Sequence, residues 1–371
     1  MNASVLSESR ELMTLVDRFE SIRAEREARA EAFADGRRPY LIYQTPYPRI
    51  YGDVRTSEAC FARNLQFIRD SLSVPSDHLP ALEPWFGTGV IANVYGCPHI
   101  WRDGETPCAD YRYDRVEEVR GLPVPDWREG EIARLVMDTI RYMKARTGDA
   151  IPIYWTDTQS AHDTATLILD ASAVFTACLL EPDSIGEFLS GINRVTLEFS
   201  QAQAEAIGDA LIKPGRIMAS SARFSGITVS DDNLAVGSPE TNRRFNLPLD
   251  EELGRAMGGI AIHSCGNWTD AMRMAVELVP SCVAVDCPIC PEVDPNPCRP
   301  EAVRDVMANT GIPVHVRVTN EQPNMIDAVK RLLHPNLRPV IRILSLDQAS
   351  AERNYAALDE LLSAYYSSGR A

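Results

Sequence analysis

The sequence predicts an α/β protein folded as one (β/α)8 barrel of the TIM type, preceded by an N-terminal helical extension. Three observations carry this. Short apolar runs alternate with helix-period stretches, and such alternation implies parallel strands joined by right-handed crossovers. The 371 residues exceed the ~250 of a typical barrel by enough to allow an extension and long loops. No Gly-x-Gly-x-x-Gly follows the first strand, which disfavours a dinucleotide-binding sheet.

The elements follow in order. In residues 1–36, Leu12, Leu15, Val16, Phe19 and Ile22 fall at helical spacing, so this extension is an amphipathic helix covering one end of the body or meeting a second subunit. Residues 37–371 form the barrel. Its strand candidates are 39–44, 79–85, 150–157, 216–232 (interrupted), 259–265, 282–286, 312–318 and 339–344. Helical patterns fill 129–146, 183–208, 239–257, 269–279, 300–310, 323–334 and 350–367. A chain 45% apolar and 24% charged buries enough surface to fold without disulfides or metals.

The net charge is 37 − 52 = −15, which argues against nucleic acid and against an anionic membrane surface as partners. Charges interrupt the first ten residues where a signal peptide needs an apolar core, and no apolar run reaches ~18 residues, so a cytoplasmic protein is expected. Nine cysteines, an odd number, do not make a secreted disulfide framework. Five of them, Cys265, Cys282, Cys287, Cys290 and Cys298, crowd into 34 residues, a density that points to metal or redox chemistry.

Barrel chemistry sits at the C-terminal strand ends, so those residues are the candidates. The first two ends offer Tyr43, Gln44 and Trp85, and the third offers Trp155, Asp157, Gln159 and His162. Asp231 and Asp232 follow the fourth, where they can hold a proton, orient substrate or cap a helix. Arg223 and Arg317 are candidate anion holders. The fifth strand ends in His263-Ser264-Cys265-Gly266, and residues i and i+2 of a strand share a side. Imidazole and thiolate can therefore converge on one zinc ion; the plain alternative is a buried histidine beside an inert cysteine. Cys287 and Cys290 are candidate further ligands: Cys-Pro-Ile-Cys enters a proline-rich loop that suits a static site better than a redox couple, although the pair can also simply pack.

At these motifs the chain resembles the uroporphyrinogen decarboxylase superfamily, which includes zinc-dependent methyltransferases serving corrinoid proteins. The carriers are Trp85-Phe86-Gly87-Thr88-Gly89, Ile151 to Ser160, Asp163-Thr164-Ala165, Ile227 to Asp232 and His263 to Asn267. The decarboxylase resembles Met-Arg-Gln-Ala-Gly-Arg after its first strand. Here Ile42 to Tyr47 has neither arginine, and Arg49 is offset, so a tetrapyrrole with eight carboxylates lacks its counter-charges. The methyltransferase branch is similar in His-x-Cys but implies a late cysteine after strand eight, where this chain reads Arg342-Ile343-Leu344-Ser345-Leu346-Asp347. The resemblance therefore implies a zinc-dependent methyltransferase or demethylase with a rearranged site of His263, Cys265 and Cys287 or Cys290. A small-molecule substrate and a corrinoid (cobalamin) carried by a partner protein or arriving free would complete it, and a homodimer is a reasonable assembly. The alternatives are a metal-free decarboxylase or lyase using Arg317 and Asp231, and a non-catalytic barrel that binds a corrinoid or tetrapyrrole.

Overall fold

The computed structural model describes residues 3–46 and 54–368, so Tyr47 and Arg49 lie outside the described residues. Its strands are β1 (Leu41–Pro46), β2 (His99–Ile100), β3 (Cys108–Ala109), β4 (Ile227–Ser230), β5 (Ile260–His263), β6 (Cys282–Pro288), β7 (Val314–Val318) and β8 (Pro339–Ser345). β2 and β3 form a separate antiparallel pair, while the other six make one parallel sheet in the order β1-β8-β7-β6-β5-β4. Helices Thr269–Leu278, Pro300–Met307, Gln322–Leu332 and Gln348–Ser368 alternate with those strands and cover the sheet, as the sequence pattern predicts. The architecture is α/β and consistent with a TIM-type barrel, with six strands in the parallel sheet among the described residues where eight were expected.

The two expected strands at 79–85 and 150–157 are single bridges instead. Leu82 donates its N–H to Pro152 O at 2.8 Å, and Tyr154 donates to Leu82 O at 2.8 Å. Further along, Ser160 donates to Ser230 O at 2.8 Å, beside β4. At the other side, Asp77 donates to Ile42 O of β1 at 2.8 Å. Proline is the physical reason: Pro80, Pro84 and Pro152 have no N–H to donate, so a continuous ladder cannot form across them.

Strand alternation sorts the side chains into two sets. Ile42, Ile227, Val229, Ile260, Ile262, Val285, Cys287, Val314, Val316, Ile341 and Ile343 share one buried cluster that packs against the covering helices. The intervening residues, Tyr43, His263, Asp286, His315, Arg317 and Arg342, therefore face the opposite side, the interior of the curved sheet. Across that interior His263 stands in register with Asp286, and Asp286 with His315; Tyr43 stands with Arg342, and Arg342 with Arg317. A second apolar cluster belongs to the N-terminal half, where Leu15 and Phe19 of the long helix Ala3–Ala34 pack with Ile68, Leu82 and Ile140.

Candidate metal centre and adjoining cavity

His263 ends β5, and Asp286 is its interior neighbour on β6. His263 Nδ1 lies 2.6 Å from Asp286 Oδ1, and the Asp286 side chain is fully buried. A carboxylate there draws the imidazole proton to Nδ1, leaving the Nε2 lone pair aimed into the interior. Nε2 is 3.6 Å from Cys265 Sγ. Tetrahedral zinc bonds of ~2.0–2.1 Å to nitrogen and ~2.3 Å to sulfur set those two atoms about 3.6 Å apart, so the pair already has the separation such an ion requires. Gly266 follows with φ of 68°, a left-handed turn that suits glycine and lets its N–H donate to Asp294 Oδ2 at 2.9 Å.

The third donor is Asp232. Among the described residues Asp232, His263 and Cys265 are the group whose donor atoms all lie within 4.8 Å of one another. Asp232 Oδ1 is 3.9 Å from His263 Nε2 and accepts the Cys265 N–H at 2.6 Å. Strand parity explains why it is this aspartate of the pair: Asp231 continues the outward set of Ile227 and Val229, so Asp232 turns inward. Asp163 holds the turn by accepting the N–H groups of Asp232 at 2.7 Å and Asn233 at 2.9 Å. A nitrogen, a sulfur and a carboxylate oxygen, with the histidine already backed by a carboxylate, fit a zinc ion.

Arg317 closes the site. Its Nε is 2.9 Å from Asp286 Oδ1, Nη2 donates to Ser264 O at 2.8 Å, and Nη1 reaches Cys265 Sγ at 3.7 Å. Burial alone would raise the Asp286 carboxyl, yet Arg317, His263 and Arg342 hold it well below the usual carboxylate range. Burial pushes the Cys265 thiol up to about 11 against the opposing pull of Arg317, so this sulfur needs a stronger cation to ionise near neutrality.

Several residues expected at the site stand elsewhere. Cys287 points outward from β6 and hydrogen-bonds Cys298, a contact that raises the Cys287 thiol well above its ordinary value and lowers Cys298 to about 7. Cys290 is buried in the same helix-facing cluster. Neither joins the donor group, and Asp232 occupies the third position instead. Asp231, expected to be catalytic, is fully buried on the outward face beside Asp250 and Ser160. His162, likewise expected to be catalytic, packs on Phe175 at 5.1 Å between ring centroids and lies 3.6 Å from Cys178 Sγ. Gln44 points outward, donating to Pro75 O at 2.8 Å and Ala351 O at 3.0 Å, and Trp155 donates to Ser200 O at 3.0 Å. Arg223 pairs with Glu31 and Asp35, at 3.7 and 3.6 Å, beside the end of the N-terminal helix. The Gln44 and Trp155 side chains are thus hydrogen-bonded to backbone carbonyls, and Arg223 forms a surface ion pair away from the metal group.

The remaining candidates gather around a cavity of ≈ 160 Å³ between β1, β8, the helix Ser57–Ser71 and the irregular segment after it. Tyr43 and Trp85 line it. Asp157 lies at its edge, where it accepts the Trp85 indole N–H at 3.2 Å, pairs with Arg216 and takes the Gln159 amide N–H at 3.0 Å. Tyr154, an aromatic at a strand end that the sequence offers as a pocket wall, also lines the cavity, as do Arg63, Glu83, Arg216 and Arg342, which the sequence did not mark as site residues. Arg342 carried a readable signal, since a lone arginine midway along an apolar strand must face a buried interior. Glu83 is raised to about 7, mainly by burial and against the pull of Arg216, whose Nε is 3.5 Å away.

No protein-family model and no curated protein matches the chain. Among solved structures it is similar to a methyltransferase from Methanosarcina mazei, with a TM-score of 0.65 at 14% identity over 91% of this chain and 98% of that one. At that identity the likeness is one of fold.

Proposed function

We propose that the chain is a zinc-dependent methyltransferase or demethylase that moves a methyl group between a small substrate or thiol and a corrinoid carried by a partner protein. The observation that carries this reading is the convergence of Asp232, His263 and Cys265, with Asp286 behind the histidine. The ordered motifs that resemble the methyltransferase branch, and the fold likeness to a protein named as a methyltransferase, support it. Bound zinc would supply the Lewis acidity that keeps a thiol or hydroxyl nucleophile deprotonated near neutral pH.

The chain's own residues prepare the site. Asp286 sets the histidine tautomer and orientation, Asp232 fixes the Cys265 backbone through its N–H, and Arg317 tethers Asp286, Ser264 and Cys265 together. The cavity lined by Arg342, the register neighbour of Arg317, has the volume of one six-membered ring, which gives no support to a tetrapyrrole substrate.

The test is metal content together with anomalous scattering at the zinc edge, on protein purified without chelators. One zinc per chain bound by Asp232, His263 and Cys265 is expected. The variants His263→Ala and Cys265→Ser should each lose the metal and methyl transfer together. Wild-type protein without zinc, or a metal at another site, would sink the reading; full turnover by His263→Ala would remove this histidine from the mechanism.

A further inference from the structure

Arg342 is out of balance with its surroundings. It projects from the middle of β8 into the interior, and among the described residues it makes no hydrogen bond and no ion pair. Its Nε is buried without a partner, and its guanidinium carbon sits 5.7 Å from the centre of the Tyr43 ring. The carboxylate that acts on it most is Asp286, whose Oδ1 is engaged by both His263 and Arg317. The other two arginines of the cavity are compensated differently: Arg216 pairs with Asp157 and Glu83, and Arg63 lies 4.9 Å over the Trp85 ring. A desolvated guanidinium with no ion pair among the described residues is suited to hold an anionic ligand.

The cavity defines what that partner can be. Its ≈ 160 Å³ is close to the ~150 Å³ known to hold one benzene ring. Tyr43, Tyr154, Trp85 and Phe67 give it aromatic walls. The planar fork of a guanidinium matches a carboxylate in two parallel hydrogen bonds. Burial pushes the Tyr43 hydroxyl up to about 12, so it stays a donor, 3.3 Å from His78 Nε2. Ile217, next to Arg216 at the cavity wall, has φ of 75°, a conformation a β-branched residue keeps only where its surroundings enforce it. Arg342 also stands in register with Arg317, which reaches Cys265 Sγ.

We propose that this cavity is the substrate subsite and that it takes a small planar carboxylate about one six-membered ring in size. Arg342 and Tyr43 hold the carboxylate, and the aromatic walls hold the ring. This names the substrate class for the methyl-transfer reading and rests on that reading only for what happens to the molecule once bound.

The test is therefore a binding measurement on metal-stripped full-length protein, independent of turnover. Calorimetric titration with benzoate and 4-methoxybenzoate should show binding, whereas neutral benzamide should bind at least tenfold more weakly. Arg342→Gln should lose benzoate affinity at least tenfold, and Arg342→Lys should keep part of it. Without ligand, the Arg342→Gln chain should stay folded and melt close to wild type, because among the described residues the side chain it loses makes no hydrogen bond or ion pair and only lies near the Tyr43 ring and the charge of Asp286. Equal binding of benzamide, or undiminished benzoate binding by Arg342→Gln, would overturn the assignment. So would an Arg342→Gln chain that fails to fold, since that would make the arginine structural. Inorganic phosphate and methanesulfonate serve as further probes, and tighter binding of either than of benzoate would overturn the choice of carboxylate. A missing zinc with intact benzoate binding would defeat the methyl-transfer reading and leave this one standing.

Discussion

At the scale of single residues, Asp286 is where the site's charges meet: it faces His263 at 2.6 Å and Arg317 at 2.9 Å from one oxygen. Asp286→Asn keeps the volume and removes the charge, so the histidine loses the partner that fixes its tautomer. Backing groups of this kind typically contribute 10–100-fold in metal affinity. The variant should bind zinc 10–100-fold more weakly by competition with a chelator while its secondary structure is unchanged. Cys287→Ala makes the contrast. Its sulfur faces the helices and Cys298, so zinc affinity should stay at the wild-type value while stability falls by about 1 kcal/mol. A zinc defect in Cys287→Ala would restore the ligand set first expected from sequence. That expectation failed for a definable reason. His263 and Cys265 were legible because two residues on one strand share a face whatever the fold does. Whether Asp286 or Cys287 faces the same way depends on the register between strands, and in a sheet buried on both faces hydrophobicity does not reveal it.

At the scale of elements, the long helix Ala3–Ala34 is a brace for the cavity wall. Arg26, buried, donates to His78 O at 2.6 Å, to Val74 O at 3.2 Å and to Ser71 O at 3.5 Å. These carbonyls belong to the turn that carries the chain from the helix Ser57–Ser71 to His78. Arg26→Met fills similar space but leaves the carbonyls without donors, which should cost about 2–3 kcal/mol. The expected result is a lower urea midpoint with an unchanged slope; an unshifted midpoint would show that the brace contributes nothing. The sequence made this helix and the seven later helical stretches legible through their apolar spacing. It did not reveal Ser57–Ser71, Ala161–Ile168 or Ala171–Leu180. The first of these buries Asn64 among its apolar residues, which blurs its stripe, and the last is apolar on nearly every side. The two irregular strand positions were misread for the opposite reason. Their apolar residues are real core, but proline removes the donors a strand needs.

At the scale of the whole molecule, acidity enters stability at two places that respond to different conditions. The surface carries most of the −15 net charge, and its repulsion is screened by salt over about 8 Å at physiological ionic strength. The interior holds a separate cluster on the outward side of β4, where Asp163, Asp231 and Asp250 are all buried. Burial, with the charge of Asp163 adding to it, raises Asp250 to about 8; burial, with the neighbouring aspartates, puts Asp163 and Asp231 well above the usual range. In the unfolded chain these carboxyls titrate near 3.9. Between that value and the folded one, the folded state binds more protons than the unfolded state, so stability must fall as pH rises. For Asp250 the loss runs from about pH 4 to about pH 8 and is complete above it. Melting temperature should therefore decline between pH 6 and pH 8.5, and 0.5 M salt should leave that slope largely intact because the cluster is out of reach of solvent ions. Asp250→Asn mimics the protonated acid. It should match wild type at low pH, exceed it at pH 8.5 and flatten the slope, and parallel curves for the two proteins would show that this cluster does not hold its protons.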